Sequence, residues 1–384
     1  MDEPKEPKIT PYQLDLFTEP VADIYRALED EIFLLVVKRL KAGGIINEDD
    51  ILHWQVERMQ ELRMLNQETI KALAKATGIA EKEIIKAIEE VGYRTIESVD
   101  SELKYAFEPL PIPNHIDTIL ATYVQQTFRE IDNLVNQTLI TTNYGEGTVT
   151  RMYRKIVEET TGKVLAGTTT INKAVAETVI KWADKGIETA FIDKGGHVWS
   201  LERYADTVIR STVNRTYNEL RMSRMEDYGV DLVLVSSHPD PREACAPIQG
   251  KVASIKPTRE NKSKHPSIYE FGYGEPAGLR GINCRHMFYP FVEGLNVNNQ
   301  IQYDEATMKK NRELSQKQRY YERQVRKAKR SLMLAEEIGD EETIQRYKRL
   351  VRSRQAKVRE FVDEHGLIRR YDKERVIVRG GNHS

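Results

Sequence analysis

The 384-residue sequence predicts an α+β protein, predominantly α-helical, with a helical N-terminal half, a small β-containing central module and a long basic C-terminal helical hairpin. Three observations carry that expectation. Apolar residues recur at spacings of three and four over most of the chain, the mark of amphipathic helices. One stretch, 232–294, gathers seven prolines and six glycines around a β-branched run, as turns and short strands do. Beyond Asp304 the chain is rich in Lys and Arg and contains no proline.

Charged residues make up 30% and aromatics 8% of the chain. With a mean hydropathy of −0.57 the composition is hydrophilic, yet apolar enough for two or three folded domains. The longest apolar run, IFLLVV (32–37), is broken by Lys38 and Arg39, so no membrane span is expected. The opening MDEPKEPK lacks the basic-then-apolar order of a signal peptide. Two cysteines offer no disulfide framework and suit a reducing cytoplasm. The net charge of −1 hides an asymmetry: acidic residues predominate over 1–110, and basic residues predominate over 301–384. Such polarity suits either different partners at the two ends or two solvated faces of opposite sign.

Taken in order, residues 1–17 carry three prolines and no apolar period and read as a flexible arm. An acidic helical region, 18–110, follows. Ile24, Leu28, Ile32, Leu35 and Val36 mark its first helix, closed at Gly43-Gly44, and 46–65 reads as a second helix. Residues 67–90 read as a helix-turn-helix-like pair around Gly78; the acidic surroundings argue for a docking subdomain rather than DNA reading. FEPLPIPN (107–114) is a Pro-rich junction into a helical region, 111–229, with helices at 115–138, within 148–187 on either side of Gly162 and Gly167, and at 201–227 ended by Gly229. VDLVLVSSH (230–238) is the strongest strand signal and opens a small α+β module, 230–300. A basic helical hairpin and tail, 301–384, turns at GDEE (339–342).

Four soft ligands lie in the module in two groups, His238 with Cys245 and Cys284 with His286. Residues two apart in extended chain point the same way, so Cys284 and His286 can face one centre, and this donor set suits a structural Zn2+. Neither group has the CxxC spacing of a zinc knuckle, and a buried reduced cysteine pair explains the same residues. An enzymatic alternative, a metal-dependent hydrolase or nuclease built on His238, Cys245, Cys284 and His286, would take Asp240 or Glu243 as base. No HExxH, deaminase or phosphate-loop motif accompanies it. The glycines of 270–281 are expected to supply the turns that bring Cys284 toward Cys245, with Gly250 and Gly281 tolerating alanine least. His197 and His265 read as surface residues. In the basic hairpin, Arg323, Arg326, Lys327, Lys329 and Arg330 beside Tyr320 and Tyr321 form a cluster suited to nucleic acid or an acidic partner.

The pair SSHPDPREACAPIQGKV and GINCRHMFYPFVEG, with Pro239, Asp240, Gly250, Gly281, Asn283, Arg285 and Pro290 as its framework, resembles the minor capsid, or head-morphogenesis, proteins of tailed phages. That group is called phage minor capsid protein 2 and is distantly related to Mu F-type head proteins. HVWSLERYADTVIRSTVNRTYNELRMSRMEDYGVDLVLVSSH upstream, and QRYYERQVRKAKRSL and GLIRRYDKERV downstream, extend the similarity over about 190 residues, from Phe191 to Val378. The resemblance implies a structural virion protein, not an enzyme. Its partners would be the portal protein, other head proteins and packaged DNA, and no membrane. Its place would be the phage head near the portal, after assembly in the host cytoplasm. A toxin or ADP-ribosyl transfer domain, fused to some Mu F-type relatives, is not expected after the basic hairpin.

Overall fold

The computed structural model describes residues 11–42, 50–113, 115–139, 141–142, 145–167, 169–192, 196, 198–282 and 284–377. The chain divides into two compact units, each built from three separated segments. Unit one takes Met1–Val21, Glu81–Arg129 and Asp206–Gln316; unit two takes Ala22–Ala80, Glu130–Ala205 and Lys317–Ser384. The boundaries fall inside helices rather than in linkers.

Among the described residues the helices are α1 (Pro11–Lys41), α2 (Ile51–Gln60), α3 (Leu62–Leu103), α4 (Ile116–Leu139), α5 (Thr148–Leu165), α6 (Ile171–Lys185), α7 (Leu201–Asp227), α8 (Glu305–Ile338) and α9 (Glu341–His365). The expected predominantly helical α+β class is what the chain adopts. Three local expectations fail. Residues 11–17 are not an arm but the first turns of α1, because unit one holds them: Leu14 is buried, Arg94 lies over the Phe17 ring, and Arg210 faces Asp15 and Glu19. Residues 67–90 contain no turn, since α3 runs unbroken through Gly78. One glycine costs a helix only about 1 kcal/mol, and buried Leu73, Ala76, Ala80, Ile84 and Ile88 on either side outweigh it. Gly162 likewise lies inside α5, whereas Gly167, with φ +65°, falls between α5 and α6. The helix-closing Gly43-Gly44 lies outside the described residues.

In unit one a three-stranded antiparallel sheet, β5 (Leu232–Val235) between β6 (Val252–Ser254) and β7 (Phe288–Pro290), organises the module. Val233 pairs with Ala253 and Pro290, and Val235 with Phe288. Pro290 donates no hydrogen bond and sits on an edge strand, where that is tolerated. Val99 and Leu103 of α3, Met225 of α7 and Val233, Val235, Ile248, Ala253, Ile268, Leu279 and Phe288 form one buried cluster that also contains both cysteines. Arg221 and Arg224 of α7 brace it. Fully buried Arg221 bonds Glu102 and the Phe288 carbonyl. Arg224 clamps Asp100 at 2.6 and 3.0 Å and the carbonyls of Leu110 and Pro111 at 2.8 and 3.0 Å, fastening the Pro-rich junction to α7.

In unit two α5 packs on α6 and on α2, and α6 on α9. α1 is buried on several sides there, through Ala22, Tyr25, Leu28, Ile32, Phe33, Val36 and Val37. Two short hairpins, β1 (Thr141–Thr142) with β2 (Gly145–Glu146) and β3 (Glu188–Ile192) with β4 (Val198–Ser200), join the helices. Lys317–Ile338 of α8 turns at Gly339 (φ +87°) into α9, whose first turn Asp340 caps by accepting from the Thr343 N–H at 2.9 Å. The hairpin is held by Val325, Val358 and Val362 and by the Tyr321–Phe361 ring pair. No helix of the described residues is long and apolar enough to cross a membrane.

Candidate functional site

The module's two sequence motifs meet at one end of the β5–β7 pairing. Past β5 the chain continues through Ser236, which exchanges bonds with Met287: the Ser236 N–H donates to the Met287 carbonyl and the Met287 N–H to Ser236 Oγ, both at 2.8 Å. Pro239, Asp240 and Pro241 then turn the chain into a helical turn in which the Cys245 N–H donates to the Arg242 carbonyl and the Gln249 N–H to that of Cys245. Gly250, at φ +69°, reverses it into β6. Its carbonyl accepts from Asn298 and Gln302 at 2.8 Å each.

The second motif arrives through a glycine-built loop. The Leu279 N–H bonds the Phe271 carbonyl, the Ile282 N–H that of Pro276, and the Cys284 N–H that of Gly281. At Gly278 and Gly281 the passing chain leaves no room for a side chain: an added Cβ would lie 2.0 Å from the Gly272 carbonyl oxygen and 2.3 Å from that of Pro276. Between them Arg280 holds φ +61°, the one non-glycine positive φ among the described residues. Its guanidinium bonds the Asn214 backbone and side-chain oxygens at 3.3 and 2.8 Å, and Asn214 returns a bond to the Cys284 carbonyl at 3.1 Å.

Here Cys245 Sγ lies 3.5 Å from Cys284 Sγ, and Cys284 Sγ lies 3.5 Å from His286 Nδ1. Ligand atoms of the three residues all lie within 4.8 Å of one another, and all three residues are buried. The i, i+2 spacing of Cys284 and His286 places both on one side, as extended chain does. His238 is adjacent but separate: its ring stands edge-on to His286 with centroids 4.6 Å apart, and its Nε2 lies 3.1 Å from Ser236 Oγ and from the Arg285 carbonyl. Burial pushes its pKa down to about 4, so it is neutral at ordinary pH. A hydrogen bond joins the two sulfurs, and either can be its donor. The hydrogen bond between them, with burial, raises Cys245, and the same bond draws Cys284 well below the usual thiol range.

Other motif residues act around this cluster. Arg285 is exposed and reaches Asp15 at 3.0 Å; Asn283 lies outside the described residues, as does His197. His265 pairs with Glu293 at 2.9 Å. Three further side chains that no sequence signal singled out support the cluster. Gln249 accepts from the His238 N–H and faces His286 Nε2 at 3.0 Å. Arg242 points at Cys245 Sγ from 3.8 Å. Asn214 comes from α7. The sulfurs and imidazole are shut off from water, whereas metal-assisted hydrolysis needs an open coordination position. A depression in unit one lined by Leu14, Asp15, Thr18, Arg210, Val213 and Asn214 has room for about one water molecule and not a substrate.

The basic cluster on α8 divides. Arg330 is turned into unit two against Glu29, Asp30 and Glu202, and Arg326 bonds Glu202 at 2.8 Å, as does Arg26 at 3.1 Å. These two arginines are internal counter-charges rather than members of a polyanion surface. Their spacing of four puts both on the face of α8 that Val325 and Ala328 bury. Lys327 donates to the Asp184 carbonyl at 2.9 Å while staying exposed, and Arg323 is exposed. Arg346, Arg349 and Arg352 of α9 add an exposed row at spacings of three that the sequence reading overlooked. Burial raises Glu29 to about 7 and Asp30 to about 6 despite Arg330.

Comparison with known proteins bears on what these units belong to. A relative described as a structural protein of Lactococcus phage LL-H is 37% identical over 364 residues, covering 92% of this chain and 98% of the relative. A structural protein of Lactococcus phage mv4 is 47% identical over 114 residues, 29% of this chain and 93% of that protein. No solved structure matches the chain significantly. The family model for phage minor capsid protein 2 matches residues 9–363, taking in both units and both motifs of the module, and the chain therefore belongs to the phage minor capsid protein 2 family.

Proposed function

We propose that this minor capsid protein assembles at the portal vertex of the phage head, with the exposed basic face of its C-terminal hairpin turned toward packaged DNA. Family membership supports a structural place in the virion beside other head proteins. The observation that carries the finer reading is the row on α9, Arg346, Arg349 and Arg352, with Arg323 of α8, all exposed. Lys and Arg that face solvent in a row suit phosphate, and affinity gained that way falls steeply with salt because bound counterions are released. Acidic 18–110 is the docking region in this reading. Its charge disfavours DNA and suits a basic partner surface.

Mass spectrometry of purified procapsids and filled heads tests the placement. A copy number comparable to that of the portal, lost when the portal gene is deleted, is expected; absence from every particle overturns it. Duplex DNA titrations at several salt concentrations test the second half. R349E/R352E is expected to weaken binding and reduce the salt slope by roughly one to two units, and an unchanged slope removes DNA from the list of partners.

A further inference from the structure

We propose that Cys245, Cys284 and His286 form a structural centre for a soft divalent cation, zinc in chemical class, that ties the two motifs of the module together. Two of the three ligand separations match coordination, and the third falls within 4.8 Å. Two ligands of one tetrahedral zinc stand roughly 3.5–3.8 Å apart, given Zn–S near ~2.3 Å and Zn–N near ~2.0 Å, and both Cys245 Sγ to Cys284 Sγ and Cys284 Sγ to His286 Nδ1 measure 3.5 Å.

The hydrogen bonds around the cluster assign its donor atoms. The backbone N–H of His238 can only donate, and it meets Gln249 Oε1 at 3.0 Å. That fixes the orientation of the Gln249 amide, whose Nε2 donates to Met308 Sδ at 2.8 Å. The oxygen so fixed also lies 3.0 Å from His286 Nε2 and can only accept there. Nε2 of His286 therefore carries the proton, and Nδ1 presents a lone pair toward Cys284 Sγ. An imidazole held in one tautomer by an outer hydrogen bond is how metal sites orient a histidine ligand. Arg242 supplies an N–H toward Cys245 Sγ at 3.8 Å, a contact that steadies a thiolate.

His238 stays outside the centre. Its Nε2 meets the Arg285 carbonyl, which can only accept, and its ring atoms do not join the cluster. Two thiolates and a neutral imidazole make an uncharged complex with a divalent ion, which suits burial in the hydrophobic cluster containing both cysteines. Binding releases the thiol protons to water, so affinity rises with pH.

The test uses the full chain, purified with reductant and without chelator. Stoichiometric zinc by elemental analysis is expected, as is an intense thiolate-to-metal absorption after exchange with Co2+. Cys284→Ser and His286→Gln are expected to lose the metal and His238→Ala to keep it. Should the substitutions unfold the chain, the Co2+ spectrum of the unaltered protein still reads thiolate ligation. Absence of both zinc and the Co2+ band overturns the proposal. So does an intact mass lower by two hydrogens, which would mark a disulfide, and loss of metal from His238→Ala would overturn the three-residue assignment.

Discussion

Gly281→Ala isolates the close approach that delivers Cys284 to its partners. The new Cβ would stand 2.3 Å from the Pro276 carbonyl oxygen and 2.4 Å from that of Glu275. Both are backbone atoms, so no side chain can swing aside. A carbon and an oxygen settle near 3.2 Å or beyond, so the two strands of the loop must part by about 1 Å. That movement strains three bonds: Gly281 N–H to Gly278, Ile282 N–H to Pro276 and Cys284 N–H to Gly281. Overpacking of this kind costs about 1–3 kcal/mol, and each weakened hydrogen bond adds about 1 kcal/mol. A loss of about 2–4 kcal/mol is expected, or roughly 5–15 °C in melting temperature for a unit of this size. Gly78→Ala is the internal control. It lies in a helix with nothing within 4 Å of the added carbon, and it should stabilise by about 0.5–1 kcal/mol. Urea unfolding followed by near-ultraviolet circular dichroism measures both. A Gly281→Ala midpoint within about 0.5 kcal/mol of the parent would refute the claim that this crossing fixes the loop.

Three further outcomes follow from buried charge. Glu29 and Asp30 bind protons more tightly folded than unfolded, with values of about 7 and about 6 against 4.5 and 3.8. The stability they contribute is therefore complete below about pH 4 and lost as pH rises through 6 to 7. Glu29→Gln should remove on the order of 1–3 kcal/mol of the stability difference between pH 5 and pH 8, read from denaturant midpoints at each pH. Arg330→Ala should destabilise by about 3–5 kcal/mol, because it strands carboxylates that are nearly inaccessible. Arg323→Ala, on the exposed side of α8, should change stability by no more than about 0.5 kcal/mol. Arg221→Met should cost about 3 kcal/mol in denaturant titrations, and Arg221→Lys should fail to restore it, since a single ammonium cannot serve both Glu102 and the Phe288 carbonyl.

Much of the helical architecture is legible in the chain itself. The apolar period with Gly229, and the proline-free basic run with its turn at Gly339, place α7, α8 and α9 nearly to the residue, because a helix is a local structure that its own side chains and caps terminate. The β-branched run marks β5, and the two-residue spacing of Cys284 and His286 is enough to set them on one side. What fails to show is whatever depends on a partner far along the chain. A proline-rich opening became helix because unit one buries Leu14. Gly78 was absorbed because its neighbours pack on both sides.

The same division holds at the sites. Sequence alone singled out His238, Cys245, Cys284 and His286 as the chemically distinctive residues, and showed that the two ends of the chain differ in charge. Only the tertiary structure decided that His238 stands outside their cluster, since that depends on which acceptor its ring meets across β5 and β7. It likewise decided that Arg326 and Arg330 serve Glu202, Glu29 and Asp30 and not solvent. A charge reads the same in sequence whether it is solvated or buried; the carboxylates that bury it lie more than a hundred residues away, and only folding brings them within a few ångströms.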